Sequence, residues 1–152
     1  MFSCLNARSL VNKSTALADM FDNTNMSVSI ITETWLTNNA ICEQRCEDIQ
    51  YGDDIELLRK DRANRRGGGV AIAYNNKKVK LAHSDVIGAR RDHEVVAGIG
   101  KDMFTGVQLY VVAVYLPPSM GRKNVEELAG IISDNIARIK TTNPNIKVIM
   151  GG

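Results

Sequence analysis

Two oxygen-bearing side chains stand where the first two strand-like segments end, Asn6 after "FSCL" and Glu33 after "MSVSII". An amide carbonyl and a carboxylate are hard ligands that suit Mg²⁺ with several of its waters retained, and α/β proteins commonly assemble sites at strand carboxyl ends. Spacing alone leaves the ordinary roles open: a glutamate that faces solvent, or an asparagine that caps the turn after it. Tyr115 closes the longest strand-like run, just ahead of Pro117 and Pro118. It is either a residue at the rim of the core or a hydroxyl donor for a phosphoryl oxygen. His83 and His93 are the only imidazoles, and neither has the neighbouring carboxylates of a metal ligand or catalytic base. In a strand, His93 and Glu94 point to opposite faces.

The segment "RKDRANRRGGGVAI" joins charge to backbone freedom. Arg59, Lys60, Arg62, Arg65 and Arg66 against Asp61 give a local excess of four positive charges, directly before Gly67, Gly68 and Gly69. These glycines precede a strand, without the G-x-x-x-x-G-K-[ST] pattern of a phosphate loop that joins strand to helix. Two readings stay open: a sharp turn into the strand beside a solvated charged face, or a place where a phosphate backbone comes close to arginine forks and small residues. Contacts of the second kind would position a nucleic acid without reading its sequence.

The elements that must place these residues follow from pattern. "FSCL" and "MSVSII" read as strands around a helix from Leu10 to about Asp22, a strand-helix-strand opening. "IELLRKD", "GVAIAY", "KKVKLAH", "HEVVAGI" and "GVQLYVVAVY" form an antiparallel run, with "NNK" read as a tight hairpin turn. The prolines stop the last of these. "VEELAGIISDNIARIK" repeats apolar residues every three to four positions and predicts a helix, with Asn124 as N-cap and Glu127 completing a capping box. "IKVIM", with four apolar residues in five, predicts a central strand. The expected fold is α/β, mostly antiparallel or mixed sheets with helices outside.

Composition sets bounds. The 152 residues are 44% hydrophobic and 24% charged, as in one globular domain. The net charge of +2 is too small to imply a polyanion partner by itself. Cys4, Cys42 and Cys46 are an odd number without zinc-type spacing, which favours reduced thiols. No signal sequence and no apolar run near membrane-spanning length is present, so the expected setting is soluble and intracellular, nucleus or cytoplasm, with no membrane partner.

Taken in order, "NARSLVNK", "ITETWL", "DRANRRGGGVAI", "VYLPP" and "IKVIMGG" resemble the endonuclease/exonuclease/phosphatase superfamily, and most of all the apurinic-type endonuclease domain of non-LTR retrotransposons. The resemblance implies an α/β/β/α sandwich and a phosphodiesterase that uses Mg²⁺, with Mn²⁺ as an alternative, to nick DNA, with a reverse transcriptase as a partner encoded downstream. It makes Asn6 an organiser of the site, Glu33 a metal ligand and Tyr115 a contact of the scissile phosphate, and puts Arg65, Arg66 and Gly67 to Gly69 along the substrate backbone. Glu94 falls at a commonly acidic position and is given no catalytic role. Leu116 departs from the pattern, because related elements often carry arginine there. The resemblance further implies that residues 1–152 are an N-terminal part, an incomplete sandwich that stops before a Gly-Asp-Phe-Asn type motif and the second catalytic half. Such a chain is expected to be inactive alone. A non-catalytic nucleic-acid-binding remnant and a sibling phosphatase or phosphodiesterase are the alternatives.

Overall fold

A computed structural model of the chain describes residues 1–36, 54–62 and 67–152. Its eight strands form two four-stranded sheets. In the first, β1 (Phe2–Asn6) lies parallel to β2 (Val28–Thr32), and β4 (Val70–Asn75) and β3 (Ile55–Lys60) follow antiparallel, in the order β1-β2-β4-β3. In the second, β5 (Val79–Ser84), β6 (Glu94–Asp102) and β7 (Gln108–Tyr115) run antiparallel, and β8 (Lys147–Gly151) lies parallel beside β7. Each parallel pair is bridged by a helix, α1 (Ser14–Thr24) between β1 and β2, and α2 (Arg122–Thr142) between β7 and β8. A parallel pair needs such a crossover.

Alternation along the strands builds the layers. On β4, Val70, Ile72 and Tyr74 face β5, β6 and β7 across the intersheet core, while Ala71 and Ala73 face α1. Those small residues leave room for Leu17 and Phe21, one helical turn apart and both buried. Burial of a side chain such as Phe21 contributes about 2 kcal/mol. On β7 the same rule sends Leu109, Val111 and Ala113 inward and Tyr110 and Val112 toward Leu128 and Ile132 of α2. The result is four layers, α/β/β/α, with mixed sheets, as the family resemblance implies.

Four local expectations change. Helix α1 begins at Ser14 instead of Leu10, because Asn12 adopts a left-handed backbone (φ 66°) and the Lys13 amide bonds to the Leu10 carbonyl. The "NNK" turn is not a hairpin: both edges of β4 are taken by β2 and β3, so the turn carries the chain across to the second sheet. Helix α2 starts at Arg122 after Gly121, without a side-chain cap, which puts Asn124 inside the helix; Glu127 accepts both 2.9 Å hydrogen bonds from Arg90 Nη1 instead of closing a capping box. Strand β8, like β5, is an outer strand of its sheet among the described residues, and Met150 is 58% exposed. Its apolar character serves the two faces of the strand and says nothing of its place in the order.

Candidate active site

The segment after β2 is held between two backbones. Asn6 is in register with Thr32, and the chain continues with the Ala7, Ser9 and Leu10 amides donating to the carbonyls of Thr32, Glu33 and Thr34 at 2.7–2.9 Å. From the other side, the amides of Thr34 and Trp35 donate to the carbonyls of Gly69 and Gly68. Thus "NARSL", "TETWL" and "GGG", three of the sequence's marked segments, are one hydrogen-bonded cluster. Within it Glu33 (φ 56°) and Trp35 (φ 55°) hold left-handed backbones that non-glycine residues seldom adopt. Strain of this kind, on the order of 1–3 kcal/mol per residue, persists only where the surroundings over-determine it.

The purpose of that conformation is visible at the carboxylate. Glu33 Oε2 accepts hydrogen bonds from Trp35 Nε1 (2.6 Å) and the Gly68 amide (3.0 Å), and the Tyr115 hydroxyl is near enough to favour the ionised carboxyl. Burial pushes the Glu33 pKa up, but the donors Tyr115, Trp35 and Gly68, with the charge of Arg62, outweigh it and hold the carboxyl below the usual 4.5. Glu33 is therefore an ionised carboxylate at neutral pH. Its hydrogen-bond partners are all neutral, so its charge is oriented without being cancelled. Tyr115 answers in the opposite direction: its bond to Glu33, burial and the Glu33 charge push its pKa up to about 12. It keeps its proton and acts as a donor.

A second carboxylate lies beside the first. Glu94 opens β6 directly opposite Tyr115 of β7. Arg62 Nε donates to Glu94 Oε1 at 2.7 Å, the Gly69 amide donates to Glu94 Oε2, and the guanidinium sits 5.7 Å over the Tyr115 ring. Gly68 (φ 74°) and Gly69 (φ 84°) thus turn successive amides onto two different acids. Neither position has room for a side chain: an added Cβ would stand 2.4 Å from Arg62 Cζ at Gly68 and 2.4 Å from Thr34 Oγ1 at Gly69. The glycines at the end of β8 answer to close packing too. A Cβ at Gly151 would press on Cys4 Sγ and Ile30 Cδ1, and one at Gly152 would overlap the Val114 carbonyl.

Asn6, Glu33, Gly67 to Gly69 and Tyr115 are therefore gathered at one end of the two sheets. Asn6 is exposed, and its Oδ1 accepts the Arg8 amide (3.1 Å), the turn-capping bond that its type allows. Arg65 and Arg66 lie outside the described residues. Glu94 and Trp35 belong to the cluster although the sequence marks neither as functional, and Arg62, read only as part of the basic run, joins it through Glu94, 32 positions away, a distance over which no spacing rule acts. His93 is buried, its Nδ1 accepting the Arg90 amide.

The donor set fits a hard divalent cation in a limited way. Among the described residues no group of three or more His, Cys, Asp and Glu side chains is placed to hold a metal. Mg²⁺ asks for less, because it is often bound through one or two carboxylates with waters completing the shell. Glu33, ionised and oriented by neutral donors, would fit as one such ligand; Glu94, paired with Arg62, would not.

No protein-family profile and no curated protein matches the chain by sequence. Solved structures do. The endonuclease domain of TRAS1, a telomere-specific non-LTR retrotransposon, superposes with a TM-score of 0.62 at 12% identity, covering 98% of this chain and 57% of that one. A mannosyl-6-phosphatase of Bacteroides thetaiotaomicron gives 0.66 at 14% identity, covering 91% of this chain and 54% of its own. Truncated TDP2 of Caenorhabditis elegans gives 0.57 at 15% identity, with 93% and 54% covered. The chain spans a little over half the length of these structures. With its four layers, its mixed sheets and these likenesses, it has the fold of the endonuclease/exonuclease/phosphatase proteins over nearly all its length.

Proposed function

We propose that this chain carries the metal-ligand side of a divalent-metal phosphodiesterase site whose substrate is DNA. The observation behind this reading is the Glu33 carboxylate, kept ionised by Tyr115, Trp35 and the Gly68 amide at the joined ends of the two sheets. Glu33 would hold Mg²⁺ or Mn²⁺, with Asn6 ordering the adjoining turn. The cation, when bound, supplies Lewis-acid polarisation of a phosphoryl oxygen. Tyr115, protonated at neutral pH and donating to Glu33, can redirect its hydroxyl to a phosphoryl oxygen, and Arg62 places positive charge over the same ring. Gly67 to Gly69, with Arg65 and Arg66, would run along the substrate backbone.

In this reading the complete domain nicks DNA during retrotransposition, beside a reverse transcriptase, in the nucleus or cytoplasm. No described helix is long and apolar enough to cross a membrane. The chain spans a little over half of the structures it resembles, and catalytic groups fail as a unit when some are missing. Plasmid nicking by the chain alone is therefore expected at background. A sibling phosphatase is the second reading, favoured by the likeness to the mannosyl-6-phosphatase.

Metal binding gives a direct test, because Trp35 is the sole tryptophan and its indole N–H donates to Glu33. Titration with Mn²⁺ or Mg²⁺ should change Trp35 emission saturably in the native chain and leave Glu33→Gln unchanged. A response that survives in Glu33→Gln removes Glu33 as the ligand. Joined to the missing half of the site, the chain should cleave plasmid and leave sugar phosphates intact; the reverse selectivity would favour the phosphatase.

A further inference from the structure

Next to the acid cluster a cleft of about 370 Å³ opens between the end of β3 and the loop from β5 to β6. Arg59 and Lys60 form one wall, and His83, Arg90, Arg91 and His93 belong to the other. Four lining residues are permanently cationic against one carboxylate, Asp85, which sits 3.7 Å from His83 Nδ1. Arg59 pairs loosely with Asp61 at 3.6 Å, and Arg90 is shared between Glu127 and Asp92. Lys60 and Arg91 have no ion pair among the described residues.

The second observation is His93. It is 1% exposed, and its Nδ1 accepts the Arg90 amide at 3.2 Å, so the ring hydrogen is on Nε2. That Nε2 is buried with no acceptor among the described residues. Buried donors are rarely left so. A cleft with four permanent cations against one carboxylate asks for a ligand that is anionic and rich in oxygen acceptors, and phosphate meets both demands. The cleft is also tied to the acid cluster through the backbone: His93 precedes Glu94, and Lys60 stands two residues before Arg62.

We infer that this cleft takes a phosphate group, a backbone phosphate of the same nucleic-acid strand that passes Glu33 and Tyr115. Its identification with a strand rests on the function proposed above; the anion site itself rests on the cleft alone. It sets the register of the strand from beside the reacting centre, as phosphate contacts do.

The test follows the His93 Nε2 resonance in the ¹⁵N-histidine-labelled chain, in EDTA so that no cleavage occurs, titrated with inorganic phosphate and then with a short single-stranded deoxyoligonucleotide. Both should shift the resonance saturably, and the oligonucleotide should displace phosphate. Lys60→Gln with Arg91→Gln should weaken oligonucleotide binding about tenfold at low salt and reduce its log–log salt dependence by about 0.7 for each lost contact. The folded state of this double variant is checked by its remaining resonances, since both side chains reach solvent. No saturable shift with either ligand overturns the site. A shift with phosphate but none with the oligonucleotide overturns the strand assignment. If Trp35 fails to report metal while His93 still answers to both ligands, the metal reading falls and the phosphate site stands.

Discussion

Glu33 and Glu94 are two carboxylates in one cluster with opposite electrostatic fates. Glu33 leaves β2 in a strained turn and is held by an indole and an amide, both neutral. Glu94 opens β6, 6% exposed, and faces the Arg62 guanidinium and the Gly69 amide. Neutral donors orient a charge and leave it available; a guanidinium consumes it. In the proposed reading Glu33 takes the cation and Glu94 serves the architecture, because Glu94 fixes Arg62 over the Tyr115 ring beside Glu33. The glycines couple the two, one amide to each acid.

The coupling should break most severely at Gly69. Gly69→Ala places a Cβ 2.4 Å from Thr34 Oγ1 in a left-handed backbone, and strain with overpacking should cost about 3 kcal/mol in urea unfolding. Gly67→Ala shares the backbone conformation (φ 86°) but meets nothing nearer than 3.7 Å, so about 1 kcal/mol is expected. Equal losses at the two positions would mean that the contact with Thr34 is relieved without cost.

Arg62→Met strands the Glu94 carboxylate and should cost about 2 kcal/mol, less than a fully buried pair because the arginine side chain keeps 23% exposure. Adding Glu94→Gln should recover part of that loss. A double-mutant cycle with zero coupling would dissolve the distinction between the two acids.

The smallest effect sharpens the Glu33 side. Tyr115→Phe removes one donor, at about 1 kcal/mol, and should raise the Glu33 pKa toward 4.5. Because the folded-state pKa of Glu33 is depressed, its stabilising contribution is present above the unfolded value and lost as pH falls through the folded one. In Tyr115→Phe that loss should begin at a higher pH, read from carboxyl carbon chemical shifts. An unmoved titration would take Tyr115 out of the Glu33 bonding set.

Much of the plan was legible in the chain. Among the described residues, the eight strands and two helices follow from alternation and from three-to-four periodicity, and Asn6, Glu33 and Tyr115 stand at element ends that pattern alone locates. Errors fell where tertiary context competes with local preference. The "NNK" turn looks like a hairpin because turn chemistry is the same whether the next strand pairs with the last or crosses to another sheet. Asn124 and Glu127 spell a capping box, yet the helix starts two residues before Asn124 and Glu127 is drawn to Arg90.

The sequence by itself determined the order and type of the elements, the glycine trio before β4 and the residue types able to hold a hard cation, because all of these depend on neighbours along the chain. Only the tertiary structure decided that Gly68 and Gly69 serve two carboxylates and that Arg62 forms its ion pair with Glu94. These are contacts between residues 25 to 35 positions apart or more, chosen by which strands meet and how tightly they pack.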